Sequence, residues 1–287
     1  MYAKEKIDTV SLSLTIYKSK NTKKEEGWNM KKLLNGMLIV ALAATMVGCG
    51  SSNQEASANK DETVTLTVAT SADYPPYESL TTDGEIVGFD IDMAKLFEQY
   101  LTEQEGKTYK LEIRNMSFDN IVTQIQGDQV DLGISGFTYD EKRKVEWSDP
   151  YLGTAQVALV PKNSSIKSID ELEGKSLAAQ TGSTGEKAAN EVKGAKVTSI
   201  ANVQDIMTGL GSNQFDAVVL DSGVAKNYVN SGQFVMLDGT LLDEKNYIIA
   251  KEGNTELIEK INKCIEKFIA SDDYKELCEK YELVGLE

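Results

Sequence analysis

Histidine is absent from this chain of 287 residues, and of its 30 basic side chains only Arg114 and Arg143 are arginines. Without histidine the commonest general base and the commonest zinc ligand are missing, which excludes Ser-His and Cys-His nucleophilic pairs and most zinc sites. Acidic residues number 45, and the net charge of −15 argues against nucleic acid or an anionic lipid surface as the main partner, since both call for basic patches. Proline is scarce, at four residues, and so is cysteine, at three: Cys49, Cys264 and Cys278. The remainder, 41% hydrophobic and 26% charged, is the composition of a globular chain. Its length suits two ordinary domains, or one domain with an extension.

Residues 31–49 read KKLLNGMLIVALAATMVGC: two lysines, an apolar run, small residues and then cysteine. This is the layout of a secretory signal peptide, and the run from Leu33 to Val47 is short for a membrane-spanning helix. Its end, Met46-Val47-Gly48-Cys49, resembles a bacterial lipobox, with methionine where leucine is usual; a lipidated Cys49 would then open the mature protein. A plain signal peptide cleaved elsewhere is the alternative. Residues 1–29 fit neither, because a basic region should open the chain. The segment Lys23-Lys24-Glu25-Glu26-Gly27-Trp28-Asn29-Met30 is encodable by a purine-rich run containing GAGGAGG, a ribosome-binding site read as protein, so translation is expected to begin at Met30. The polar, small residues 49–62 read as a flexible tether. Eight lysines against four acidic residues among the first 48 take the net charge from −15 to −19 for the chain from Cys49 onward, which suits a body held off a membrane surface rather than lying on it.

Alternation of apolar and polar residues predicts a strand over 63–69. A stiff loop with aromatic faces follows at Asp73-Tyr74-Pro75-Pro76-Tyr77-Glu78, either a ligand wall or a packed turn. A helix is predicted over 90–101, with Asp90 and Asp92 at its positive start. Next come a strand over 111–114, a helix through Ile121 and Ile125 with Asp119 as its N-cap, and a strand over 130–135. Thr138-x-x-Glu141 has the spacing of a capping box, so a short helix carrying Arg143 is expected from Thr138; the Thr138 hydroxyl then serves either that cap or a ligand. The flat five-donor fork of arginine suits a carboxylate and keeps its charge when desolvated, which makes Arg143 a candidate carboxylate holder.

Further along, a strand over 176–179 runs into Gln180-Thr181-Gly182-Ser183-Thr184-Gly185 and a helix over 186–192. Such a loop cradles an anion or simply caps the helix; it lacks the lysine and spacing of a P-loop. One plan recurs. Asp119 to Ser135 and Asp205 to Leu220 each run helix, glycine-bearing turn, Asp (131 and 216) and buried strand. Each strand then delivers polar groups at its carboxyl end, Gly136 to Arg143 in one and Asp221 in the other. Ligands bind at the carboxyl ends of strands in open α/β sheets, so two such sheets face to face would make a cleft. Arg143 and Asp221 would give it opposite charges, the pairing that an α-amino acid requires. A final strand over 246–250 leads to two helices over 255–281 carrying Cys264 and Cys278, as a disulfide or as buried thiols.

Gly88-Phe89-Asp90-Ile91-Asp92-Met93-Ala94-Lys95-Leu96, Asp73 to Glu78, Ser148-Asp149-Pro150-Tyr151 and Lys251-Glu252-Gly253-Asn254-Thr255 resemble the landmarks of the family 3 solute-binding proteins of polar amino-acid ABC transporters. The resemblance implies a two-lobed α/β fold of the type II periplasmic-binding-protein kind. Lobe 1 would be 63–154 and 249–287, lobe 2 would be 155–248, and crossover strands would lie near 152–156 and 247–250. It further implies that Arg143 holds the ligand carboxylate with Gly136, Thr138, Ser183 and Thr184, and that Asp221 receives the ammonium group. Tyr74 and Phe118 would sandwich the side chain, and Ser71, Asp73 and Gln180 would read its far end. Some members that take cationic ligands carry an acid where Ser71 stands, which counts against a preference for arginine, lysine or histidine unless Asp73 compensates. The implied partners are a polar amino acid, an ABC permease with its ATPase, and the extracytoplasmic face of the cell membrane through a lipid on Cys49. A monomer without metal or cofactor is implied. Two rivals share the fold: a cyclohexadienyl dehydratase-like enzyme, for which no nucleophile-base pair is visible, and a ligand-sensing module, which would need a separate membrane partner.

Overall fold

The computed structural model describes residues 62–286. The expectations for residues 1–29, for the signal peptide at 30–48, for Cys49 and for all but the end of the tether therefore lie outside the described residues.

Chain order builds two similar halves. In the first, β1 (Thr63–Thr70) pairs in parallel with β5 (Thr108–Asn115) and β6 (Leu132–Thr138). In the second, β8 (Ser176–Gln180) pairs in parallel with β9 (Lys196–Ile200) and β10 (Ala217–Asp221). Two long strands, β7 (Val145–Pro161) and β12 (Leu242–Lys251), pair antiparallel with each other. They join the halves: β12 continues onto β6 and β7 onto β10. A short strand, β11 (Phe234–Met236), adds to β7. The resulting strand order is β5-β1-β6-β12-β7-β10-β8-β9. Two lobes of a mixed α/β sheet are thus linked by two crossover strands. Beside β1, the strands β2 (Asp73–Tyr74), β3 (Glu78–Leu80) and β4 (Ile86–Val87) form a small antiparallel sheet.

The inner strands β6, β8 and β10 are buried on both faces because helices cover both, whereas the outer β5 and β9 alternate between exposed and more buried residues. Leu132 and Ile134 of β6 join the largest apolar cluster, whereas Phe137 joins a separate cluster with Phe118, Ile121 and Ile125 of α2 (Phe118–Gln126). The same alternation in β7 sends Val157 and Leu159 one way and Ala158 and Val160 the other, as the two-residue period of a strand requires. Gly133 of β6 is dictated by closeness: a Cβ there would come 2.7 Å from Ile249 and 3.0 Å from Ile125. The helix α1 (Phe89–Glu105) lays Phe89, Met93, Phe97 and Leu101 against α6 (Thr255–Ile269) and α7 (Asp272–Tyr281). The second half carries α3 (Thr184–Glu191), α4 (Val203–Gly211) and α5 (Ser222–Val229).

The repeated Asp has one structural duty in both halves. Asp131 Oδ2 accepts from the Thr67 N–H at 2.7 Å while the Asp131 N–H donates to the Thr67 carbonyl. Asp216 makes the same pair of bonds with Ser176, its Oδ2 accepting at 2.8 Å. Each Asp therefore holds its strand in register beside the parallel neighbour.

Several local expectations are corrected. No helix starts at Thr138, which is the last residue of β6; Asp140 instead shapes a turn, its Oδ1 accepting from the Lys142 N–H and its carbonyl from the Arg143 N–H. The Thr-x-x-Glu spacing lost because β6 keeps Thr138 paired with Asn246 of β12. The N-cap of α2 is Ser117, not Asp119, which lies in the first turn. Of the two alternatives left open for Cys264 and Cys278, the structure shows buried free thiols, and burial pushes the Cys264 thiol up to about 12.

Candidate ligand cleft

The carboxyl ends of β1, β6, β8 and β10 converge between the lobes, and the candidate ligand-binding residues lie on or beside these ends or at the start of α2. Gly136 sits in β6 with φ +53, a left-handed conformation that glycine adopts without penalty. Its N–H donates to Asp90 Oδ2 at 3.0 Å, and its carbonyl accepts from Asn246 Nδ2 at 3.0 Å. Asp90 also accepts from the Tyr151 hydroxyl at 2.9 Å. Behind it, Glu78 accepts from the Ser135 hydroxyl at 2.6 Å. Both carboxyls are fully buried, and burial raises both above the usual carboxylate range.

Arg143 is half-buried on the turn after β6. It donates through one terminal nitrogen to the Thr138 carbonyl and through the other to the Gly182 carbonyl of the opposite lobe, both at 2.8 Å. These bonds use two of its five N–H groups. The guanidinium lies 5.5 Å from the Phe118 ring centroid and 5.3 Å from that of Phe137, within cation–π range. Burial lowers its affinity for the proton, opposed by the charges of Asp140 and Glu244.

Thr138 meets Thr184 across the cleft, hydroxyl to hydroxyl at 2.6 Å. Ser183, by contrast, serves its own helix: its hydroxyl accepts from the Glu186 N–H as N-cap of α3 and donates to the Gln180 carbonyl. The loop hydroxyls therefore divide, one capping and one facing the other lobe.

Asp221 is 1% exposed and caps α5 through the Gly223 N–H at 2.8 Å. It accepts further bonds from the Tyr77 hydroxyl at 3.0 Å and the Thr154 hydroxyl at 2.5 Å. Burial nevertheless pushes its carboxyl up to about 6. Tyr74 stacks on Tyr77 with centroids 5.9 Å apart, and its hydroxyl accepts from the Asp221 N–H at 3.3 Å. Phe118 stacks on Phe137 at 4.7 Å.

At the far end, the Ser71 hydroxyl donates to Asp73 Oδ1 at 2.8 Å. Asp73 Oδ2 accepts at 2.7 Å from the N–H of Val203, the first residue of α4 in the opposite lobe. Gln180 donates to the Ala201 carbonyl at 3.2 Å. Ser71 and Asp73 line, with Asn115, Asn202 and Gln204, a cleft of ≈ 410 Å³. Burial raises the Asp73 carboxyl, opposed by these hydrogen bonds.

Four polar residues that sequence reasoning missed stand on one face of the crossover strands: Thr154 and Gln156 of β7, Glu244 and Asn246 of β12. Glu244 lies directly opposite Thr154 in the ladder. Its Oε2 accepts from Thr184 at 2.8 Å and from Gln156 Nε2 at 2.9 Å. The alternation of Thr154 and Gln156 with Ala155 and Val157 was the available signal in β7; in β12 the unbroken polar run Asp243-Glu244-Lys245-Asn246 gave none.

A two-lobed α/β molecule with strand ends and an opposite charge from each lobe meeting between crossover strands is built to close on a small solute. Residues 66–284 match the bacterial extracellular solute-binding proteins, family 3, and the chain belongs to that family. It is 31% identical over 261 residues to the arginine-binding extracellular protein ArtP of Bacillus subtilis (strain 168), covering 88% of this chain and 98% of that one. Among solved structures, an ancestral arginine-binding protein bound to arginine is 37% identical with a TM-score of 0.70, covering 76% of this chain and 97% of that one. An ancestral arginine-binding protein bound to glutamine matches over the same shares at a TM-score of 0.67.

Proposed function

We propose that this protein captures a polar amino acid between its lobes and delivers it to the permease and ATPase of an ABC transporter. The observation that carries the reading is the pairing of poles: Arg143 from the first lobe reaching Gly182 of the second, and Asp221 from the second held by Tyr77 of the first. A carboxylate finds bidentate donors at Arg143, and an ammonium group finds its counter-charge at Asp221. Gly136, Thr138, Ser183 and Thr184 surround the carboxylate pole, Tyr74 and Phe118 flank the side chain, and Ser71, Asp73 and Gln180 sit at its far end. Closure follows because ligand contacts to both lobes favour the closed form. Lobe 1 comprises 63–154 and 249–287, and lobe 2 comprises 155–248. A lipid on Cys49 holds the protein at the outer face of the membrane after signal-peptide removal, and it works there as a monomer.

A thermal-unfolding screen of the twenty amino acids and cystine tests the function. A ligand at about 100 times its Kd adds about 2.7 kcal/mol of stability. A flat response to every amino acid would sink the proposal. Labelled palmitate incorporated by the wild type and lost in Cys49→Ser tests the anchor.

A further inference from the structure

We propose that Glu244 is a resident competitor for the ligand's α-carboxylate, a carboxylate of the protein itself held by the donors that an incoming amino acid requires. The proposal rests on the amino-acid reading above.

The hydrogen-bond directions carry it. A hydroxyl has one proton to give. Thr184 gives its proton to Glu244 Oε2 at 2.8 Å, so in the 2.6 Å contact with Thr138 it accepts and Thr138 donates. The two hydroxyls, one from each lobe, form a donor chain that ends on Glu244. Gln156 adds Nε2 at 2.9 Å, an orientation that leaves its own buried Oε1 without a partner among the described residues. An amide turned this way serves an anion at a cost to its other end. Arg143 gives Glu244 no hydrogen bond, its recorded donors going to the Thr138 and Gly182 carbonyls, but its charge attracts that carboxylate across the site. Thr138, Thr184 and Arg143 are also the groups placed around the ligand's carboxylate.

Two carboxylates sharing one set of donors repel, and one of them must leave or take up a proton. The charged and titratable groups facing Glu244 are Arg143, Tyr74 and Tyr247; β7 and α3 present the neutral Gln156 and Thr184. Burial already raises the Glu244 carboxyl, and a second anion beside it acts in the same direction. Binding is therefore linked to proton uptake at Glu244, and affinity rises as pH falls toward its range. Asp221 works with the opposite sign, because its protonation removes the counter-charge of the ammonium group. Only the difference between the wild type and a variant at 244 isolates the effect.

The test is calorimetric titration of the full chain and of Glu244→Gln with L-arginine, L-glutamine and L-histidine between about pH 5 and pH 8, in buffers of different ionisation enthalpy. Cooperative thermal unfolding of both proteins is checked first. The expected result is binding to Glu244→Gln about tenfold tighter near neutral pH, with less proton uptake and with the gap closing on acidification. Binding by Glu244→Gln alone would also support the proposal. Wild-type binding that Glu244→Gln weakens, or leaves unchanged at every pH, overturns it and leaves the amino-acid reading intact. Failure of both folded proteins to bind any of the three overturns both.

Discussion

The strand ends that face each other across the cleft share a plan yet present their charges in different ways. Asp131 and Asp216 pin β6 and β10 to their parallel neighbours by the same pair of bonds. Beyond that point the halves diverge. β10 ends on the charge itself: Asp221 is a short side chain fixed by capping α5 and sealed from water. β6 ends five residues before its charge, on a turn, and Arg143 reaches back to Thr138 and across to Gly182. A rigid, desolvated pole thus opposes a long-armed one whose second carbonyl comes from the other lobe. The difference teaches that one charge is positioned by secondary structure and the other by closure.

Breaking the long-armed pole should have the largest effect. Removing one partner of a buried charge pair costs about 3–5 kcal/mol, so Arg143→Ala should nearly abolish amino-acid binding. Calorimetry giving an affinity within about tenfold of wild type would falsify the assignment. Arg143→Lys should rescue it poorly, because a point charge cannot replace the two-pronged fork.

Asp221→Asn comes next. It keeps the cap on Gly223 and loses the counter-charge, so binding should weaken by about 1.5–3 kcal/mol. The same variant should be no less stable than the wild type at neutral pH without ligand, by urea denaturation, because it removes a buried charge. Together these outcomes would separate a functional pole from a structural one.

The pH dependence of stability sharpens the comparison further. With a folded-state carboxyl at about 6 against an ordinary 3.8, the folded form binds more protons than the unfolded form between those values. Unfolding free energy from this group therefore falls as pH rises through that window; Asp90 and Glu78, raised in the same direction, add to it. Urea midpoints of the ligand-free protein should decline across the window, and Asp221→Asn should flatten part of the slope.

The smallest effect is expected at Ser183→Ala. Loss of the α3 N-cap should cost about 1 kcal/mol of stability, with amino-acid affinity nearly unchanged. A large loss of affinity would instead place the Ser183 hydroxyl on the ligand.

Much of the scaffold was legible because periodicity is local. Alternation located β1, the apolar face of α1 was visible from Ile91, Ala94 and Phe97, and the scarcity of arginine singled out Arg143. The expected helix at Thr138 failed because capping-box spacing says nothing of a strand that stays paired with β12. Asp73 looked free to read a ligand, yet its Oδ2 anchors Val203, 130 residues away. Glu244 was invisible as a site residue because its significance comes from Thr184 and Gln156, 60 and 88 residues distant.

By itself the sequence determined which faces are apolar, where strands and most helices run, and which rare charges are available, since these depend on neighbours a few residues apart. The tertiary structure alone decided which donor meets which acceptor. A hydrogen bond demands about 3 Å and near-linear alignment, and only the register of β7 against β12 and the meeting of the two lobes bring Thr138, Thr184, Gln156 and Glu244 within that distance.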